Sequence, residues 1–323
     1  MAKQMITDLK ENDIVATYLQ VEEGQLFGFR NKQGKYAIFT FTDKSGSIKG
    51  VCWDRGEEYY KLLSDGQIVY VNGKTVIYNG QHQITVDRIS TELDSDCVPT
   101  DFLPSTTLNT EEMYEYLLGQ IAATRNVFVK QLLESFFADP EFAETFKKSP
   151  AAKSIHHSYL GGLLEHTTNC LKLSNTLCDI YPQLDRDVLN AGVMMHDMGK
   201  TVELSYDEKM DYTDEGRLLG HIVLGHTMIL DHIRAIPNFP INLSYHIQHL
   251  IISHHGENAT GSPKRPKTPE ACALHYLENL DAQTKRFIQI VEDTSNFKKD
   301  SDWTAYDRLL ERYLYRKPAD EEQ

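Results

Sequence analysis

Between residues 14 and 90 apolar and polar positions alternate with a period of two or gather in short apolar runs. The runs are IVATYLQV (14–21), LFGF (26–29), YAIFTFTD (36–43), SIKGVCW (47–53), IVYVNGKTVIY (68–78) and HQITVDRI (82–89). Turn signals at Glu23-Gly24, Lys44-Ser45-Gly46 and Asn79-Gly80 separate them, so the pattern predicts strands. One helical stretch, GEEYYKLLSDG (56–66), interrupts them. Residues 91–110 have no period, two prolines and many Ser, Thr and Asp, and read as a linker. From Thr110, placed to cap a helix, apolar residues recur at helical spacing: Met113, Tyr116, Leu117, Ile121, Phe128, Leu132 and Phe136. From there to Tyr315 the chain reads as helices joined by short loops, without an internal repeat.

About five strands with a single helix before the last pair is the order of a small OB-type barrel, and FTFTDKSGSIKGVCWD is similar to the central hairpin of nucleic-acid-binding OB-folds. The expected fold is therefore multidomain α+β, a small OB-type barrel followed by an all-α helical bundle. The expected boundaries are 1–95 for the barrel, 96–150 for a linker and connecting helix, and 151–323 for the helical domain with its C-terminal helices. The barrel is rich in aromatics, and alternation sends about half of them outward, where they can stack bases. Phe39, Phe41 and Trp53 are the candidates; Phe39 and Phe41 share a face that is either the binding face or the core.

The net charge of −14 argues against a non-specific duplex-DNA binder. Residues 1–95 carry 11 Lys+Arg and 13 Asp+Glu, so most of the negative charge lies in the helical part. An acidic enzyme domain can still handle nucleic acid if metal ions supply positive charge. The five cysteines are scattered without a CxxC pair and read as reduced thiols. The polar start MAKQMITDLKEND has no apolar core of a signal, and no apolar run nears membrane-spanning length, so a cytoplasmic protein is expected.

Eleven of the thirteen histidines lie between His156 and His255. His166 sits in GGLLEHTTN, His196-Asp197 in AGVMMHDMGK, His221 in LLGHIVLGH, His254-His255 in LIISHHGEN, and Glu278 and Asp281 in LHYLENLDA. Imidazoles mixed with carboxylates suit Mn²⁺, Fe²⁺, Co²⁺ or Zn²⁺ better than Ca²⁺. A carboxylate beside a histidine at a helix end can bridge two ions that clamp a phosphate.

The order H…HD…H…HH…D/E resembles the HD-domain phosphohydrolase superfamily over about Ser154–Ala282. The runs HHSYLGGLLEHT, HDMGKTVEL, GRLLGHIVLGH, SHHGENATGSP and LHYLENLDA are similar to the YhaM group of 3′→5′ exoribonucleases, which also carries an N-terminal OB-type domain. The resemblance implies removal of nucleotides from the 3′ end of single-stranded RNA, and sometimes DNA, giving nucleoside 5′-monophosphates. It implies two divalent ions, typically Mn²⁺, and attack by hydroxide. His166, His196 and Asp197 would hold the first ion, and Asp197, His221, His254 and His255 the second. Asp197 and Lys200 would be the catalytic pair, with Lys200 a point charge near the scissile phosphate. The family's last ligand is usually the first Asp of D-x-x-D-A. Here that position is Glu278, and Asp281 is its rival.

Further expectations are weaker in kind. His156 and His157, ahead of the first ligand, are candidates to touch RNA, as are Lys264, Arg265 and Lys267 in the basic loop SPKRPK. His226, His232, His246 and His249 read as packing or surface residues. Two other functions compete: an HD phosphohydrolase acting on a small nucleotide, and a non-catalytic nucleic-acid-binding factor led by the barrel. Single-stranded RNA is the expected partner; a homo-oligomer is compatible with the sequence.

Overall fold

The computed structural model describes residues 4–29, 33–78, 80–93, 97, 102–153, 157–206, 210–292 and 301–316. Two compact units emerge, one over Met1–Ser105 and Tyr206–Met210 and one over Thr106–Ser205 and Asp211–Gln323.

The first unit is a closed five-stranded barrel in the order β1-β2-β3-β5-β4. Its strands are β1 (Ile14–Gly28), β2 (Lys35–Asp43), β3 (Gly46–Cys52), β4 (Ile68–Tyr78) and β5 (Gln81–Ser90), with helix α1 (Gly56–Leu62) between β3 and β4. Strands β3 and β5 run parallel; the other neighbouring strands are antiparallel. The two runs read from sequence at 14–21 and 26–29 are one strand. Its pairing shifts at a bulge between Val21 and Glu23, which lets β1 bend and pair with β4 at one end and β2 at the other. Gly24 is needed in that bend, because a Cβ there would lie 2.7 Å from the Phe39 ring.

Phe39 and Phe41 are corrected here. Both are essentially inaccessible and pack with Val15, Leu19, Val69 and Ile84 in the barrel core. Their shared face is the inner one. Trp53 is exposed at the end of β3. It meets Tyr36 at 4.8 Å between ring centroids and Phe29 at 6.3 Å, and Phe27 stacks on Tyr36 at 5.5 Å. This cluster is one outward aromatic group of the barrel, and Tyr60 and Tyr78 are exposed as well.

The second unit is helical: α2 (Thr110–Ala123), α3 (Val127–Phe137), α4 (Pro140–Lys148), α5 (Gly162–Ile180), α6 (Arg186–Met195), α7 (Lys200–Glu203), α8 (Asp214–Ala235), α9 (Ile241–Ser253) and α10 (Pro269–Glu292). A two-stranded ribbon, β6 (Leu204–Ser205) with β7 (Asp211–Tyr212), separates α7 from α8. Asn109, one residue before the expected Thr110, caps α2: its side-chain oxygen accepts from the backbone N–H of Glu111 and Glu112.

Residues 110–148, expected as linker and connecting helix, contribute Leu117, Ile121, Leu132, Leu133, Phe137 and Phe146 to the same core as Leu163, Leu189, Met195 and Leu250. These helices belong to the second unit because their apolar stripes have no other face to bury. The described C-terminal residues 301–316 are a hairpin with bridges Trp303↔Tyr315 and Asp307↔Arg312, where helix was expected. There Trp303, Tyr313 and Tyr315 are exposed while Thr304 and Leu314 are buried, a period-two division that a helix would not make. Among the described residues no helix is long and apolar enough to cross a membrane.

Candidate metal centre

Four helices deliver one cluster. His166 lies in the buried part of α5. His196 and Asp197 follow the last residue of α6, anchored by Met195 and Met198 in the core. His254 and His255 follow the end of α9. His221 lies in α8 directly after a kink at Gly220, whose φ of 73° and ψ of 156° are open only to glycine. The sequence places polar ligands at helix ends here because the helix bodies are needed for packing.

Each of five imidazoles is held by its Nδ1. His196 bonds to the carbonyl of Val193 at 2.8 Å, His254 to that of Ile251 at 2.7 Å and His255 to that of Thr260 at 3.1 Å. His166 bonds to Asp281 Oδ2 at 2.7 Å and His221 to Glu203 Oε1 at 3.2 Å. Carbonyl and carboxylate oxygens only accept, so Nδ1 donates and Nε2 presents its lone pair. Oriented this way, metal-binding histidines use the nitrogen that faces inward.

Asp197 stands between them. Its Oδ2 lies 3.3 Å from His196 Nε2 and 3.9 Å from His166 Nε2; its Oδ1 lies 3.5 Å from His221 Nε2 and 3.7 Å from His254 Nε2. Ligand atoms of His166, His196 and Asp197 come within 4.8 Å of one another, as do those of His221, His254 and His255. His166 and His196 bring their Nε2 atoms to 3.2 Å, a separation that two lone pairs keep only with a positive particle between them. Asp197 Oδ1, His221 Nε2 and His254 Nε2 are buried without a hydrogen-bond partner. Buried orphans of this kind are costly, and three converging on one point fit a cation. The donor set of imidazole and carboxylate fits a divalent transition metal.

Electrostatics favour the neutral ligand form for His166, His254 and His255. Burial holds the His254 imidazole well below its usual pKa, and burial together with His221 holds that of His255 to about 4. Burial likewise lowers His166, although Asp281 opposes it. Neutral imidazole is the ligand form. For His196 burial is outweighed by Asp197, which raises it. Burial disfavours the Asp197 carboxylate, but Lys200 and His196 outweigh it and keep it ionised. Lys200 is nearly buried, with Nζ 2.7 Å from Asp197 Oδ2.

The two rival carboxylates separate. Asp281 Oδ2 accepts from His166 and from His157 Nε2 at 3.0 Å, and Oδ1 accepts from Asn169 at 3.0 Å. His157, His166 and Asp281 also converge closely enough to hold an ion. Their facing atoms already meet in hydrogen bonds, so we read this trio as the support of His166. In this arrangement Asp281 holds the Nδ1 side of His166, away from the Nε2 that faces His196. Glu278 has no hydrogen bond or ion pair among the described residues. Burial and the nearby Asp197 push its carboxyl up to about 7.

His157 is fully buried, so its expected contact with RNA is also corrected; its Nδ1 meets the Tyr159 hydroxyl at 3.0 Å. His156 lies outside the described residues. Lys264, Arg265 and Lys267 are exposed, and Arg265 pairs with Glu257 at 2.6 Å. His226 bonds Gln248, His232 stacks on Phe136 at 3.7 Å, His246 bonds Thr268, and His249 accepts from the backbone of Lys267. Sequence reasoning missed Glu203, which orients His221, and His275, whose Nδ1 donates to the carbonyl of His254 at 2.8 Å. Neither stands at a spacing that marks it.

The OB-fold nucleic acid binding domain family matches residues 21–91, and the HD domain family matches residues 163–283. Over 294 residues the chain is 33% identical to the 3′-5′ exoribonuclease YhaM of Geobacillus sp. (strain WCH70), covering 90% of this chain and 88% of that protein. The chain belongs to the YhaM family. The YhaM protein of Bacillus subtilis (strain 168) is 34% identical and that of Bacillus pumilus (strain SAFR-032) 31%, each with 90% of this chain and 91% of the relative covered. This YhaM family member thus carries an OB-fold domain and an HD domain, and the HD domain implies divalent-metal binding.

Proposed function

We propose that the protein is a metal-dependent 3′→5′ exoribonuclease that shortens single-stranded RNA to nucleoside 5′-monophosphates, with single-stranded DNA a secondary substrate. The observation that carries this is the ring of five Nδ1-anchored imidazoles around Asp197, with three buried orphan atoms facing one space. Two Mn²⁺ ions would account for the inward atoms of this donor set. His166, His196 and Asp197 would hold one; Asp197, His221, His254 and His255 the other. Glu278 is the last ligand, and Asp281 orients His166. Such ions supply Lewis acidity that polarises a phosphate and lowers the pKa of water.

The chain's own residues do the rest. Asp197 keeps its charge because Lys200 neutralises part of it, and Lys200 stands ready to share that proton-rich charge with a departing oxygen. Beside the ligands lies a hollow of about 410 Å³, lined by His255, Glu278, Asn279, Gln283 and Arg286. It accepts the terminal nucleotide. The barrel unit holds the strand through Phe27, Phe29, Tyr36 and Trp53, since aromatic faces stack bases without regard to sequence. Lys264, Arg265 and Lys267 track the backbone.

The test is 5′-labelled single-stranded RNA incubated with Mn²⁺ and the protein, beside Asp197→Ala. A ladder shortening from the 3′ end, with at least about a thousandfold lower rate in the variant, is expected. Intact RNA with turnover of a small nucleotide would replace the reading with a nucleotide phosphohydrolase. RNA bound but uncut would leave a binding factor.

A further inference from the structure

The C-terminal hairpin presents large rings that its own fold does not use. Trp303 is 53% exposed, Tyr306 49%, Tyr313 57% and Tyr315 52%. They form two pairs, Trp303 with Tyr315 at 5.1 Å between centroids and Tyr306 with Tyr313 at 5.2 Å. Thr304, Leu310 and Leu314 point inward and are buried. Backbone bonds from Thr304 to Leu314, Asp307 to Arg312 and Arg316 to Asp302 keep the arms paired. The outward rings are therefore held in place with most of one side in solvent.

The hairpin is tied to the metal centre. Asp307 Oδ1 accepts from Arg286 at 3.0 Å, and the same atom accepts the backbone N–H of Leu309 and Leu310, which shapes the turn. Arg286 lies on α10 two turns beyond Glu278 and lines the hollow beside it. The aromatic face thus begins one side chain away from the place proposed for the terminal nucleotide. The described hairpin, residues 301–316, holds Arg308, Arg312 and Arg316 against Asp302, Asp307 and Glu311, and is neutral in a chain of net charge −14. Arg308 and Arg312 are exposed on the hairpin itself.

Rings with open faces, arginines among them and an ion-paired link to the hollow fit a polyanion whose bases stack. We infer that the C-terminal hairpin is a second RNA-stacking surface, which grips the nucleotides just upstream of the 3′ end. This rests on the exoribonuclease reading for the identity of the strand, and it adds a binding site within the helical unit. The consequence is a grip on the strand that the helical unit supplies by itself.

The chain has two tryptophans, so Trp53→Phe leaves Trp303 as the reporter. In EDTA, where no hydrolysis occurs, oligouridylate is added to this variant and Trp303 emission is followed. Saturable quenching is expected. Tyr315→Ala in the same background is expected to weaken binding about fivefold or more, the loss of one stacked base, while Tyr315→Phe keeps it. Hydrolysis of bis(p-nitrophenyl) phosphate with Mn²⁺ is expected to match the parent, which guards against a misfolded variant. The inference is overturned if RNA binds, by anisotropy, without touching Trp303 emission. It is also overturned if Tyr315→Ala leaves RNA affinity intact and lowers the molecular mass by light scattering, since the face would then cover a second copy. Failure of RNA hydrolysis in a parallel Mn²⁺ assay would strike the exoribonuclease reading alone, because quenching does not need it.

Discussion

Glu278 sits near Asp197 with its carboxyl pushed up to about 7 by burial and that neighbour. Its unfolded value is near 4.5, so the folded chain binds this proton more tightly than the unfolded one. Stability is then lost as pH rises from the unfolded value through 7, and the penalty is complete above it. The size is about 3 kcal/mol, from 1.36 kcal/mol for each unit. Glu278→Gln is expected to stabilise the metal-free protein by up to that amount at pH 8 and to leave it unchanged at pH 4. Urea unfolding in EDTA at both values measures this. An equal difference at the two values would mean that the charge of Glu278 is not what strains the site. The residue scale also shows why Glu278 and Asp281 could not be told apart by spacing. Three positions on a helix put both on a similar face, and the difference lies in His157 and Asn169, which arrive from other parts of the chain.

Among the elements, α8 carries the sharpest local requirement. Its merged span is broken at Gly220, and the change of direction brings His221 to Glu203 and Asp197. Alanine at 220 would hold a backbone region that costs about 1–3 kcal/mol for residues with a Cβ. Gly220→Ala is expected to bind Mn²⁺ at least about tenfold more weakly by calorimetry, as when the support of a ligand is lost, with helical circular dichroism retained. Unchanged affinity would show that another contact places His221. In the sequence this glycine stands within a run that reads as continuous helix. The strand split at Glu23-Gly24 is the mirror case: a turn signal there marks a bulge inside one bent strand.

For the whole molecule, the proposed metal centre lies within the helical unit. The proposed ligands, His166 to Glu278, all lie in the helical unit. A ligand that binds only the native form adds stability of about 2.7 kcal/mol at a hundred times its dissociation constant. Calorimetric scans with and without Mn²⁺ are expected to move the transition of the helical unit upward and leave that of the barrel in place. A shift of both together would mean that the two units unfold as one.

The sequence by itself determined the two-part architecture and the chemistry of the centre. Strand and helix periods are local properties, and histidines and carboxylates declare metal chemistry by their kind and order. It did not determine which aromatic face is inside, because alternation is symmetric between the two faces of a strand; closure of the barrel put Phe39 and Phe41 in the core and left Trp53 outside. Only the tertiary structure decided that residues 110–148 complete the helical core, that residues 301–316 form a hairpin, and that Asp281 supports His166. Each of these depends on partners far away in the chain, and a contact between distant residues has no period to read.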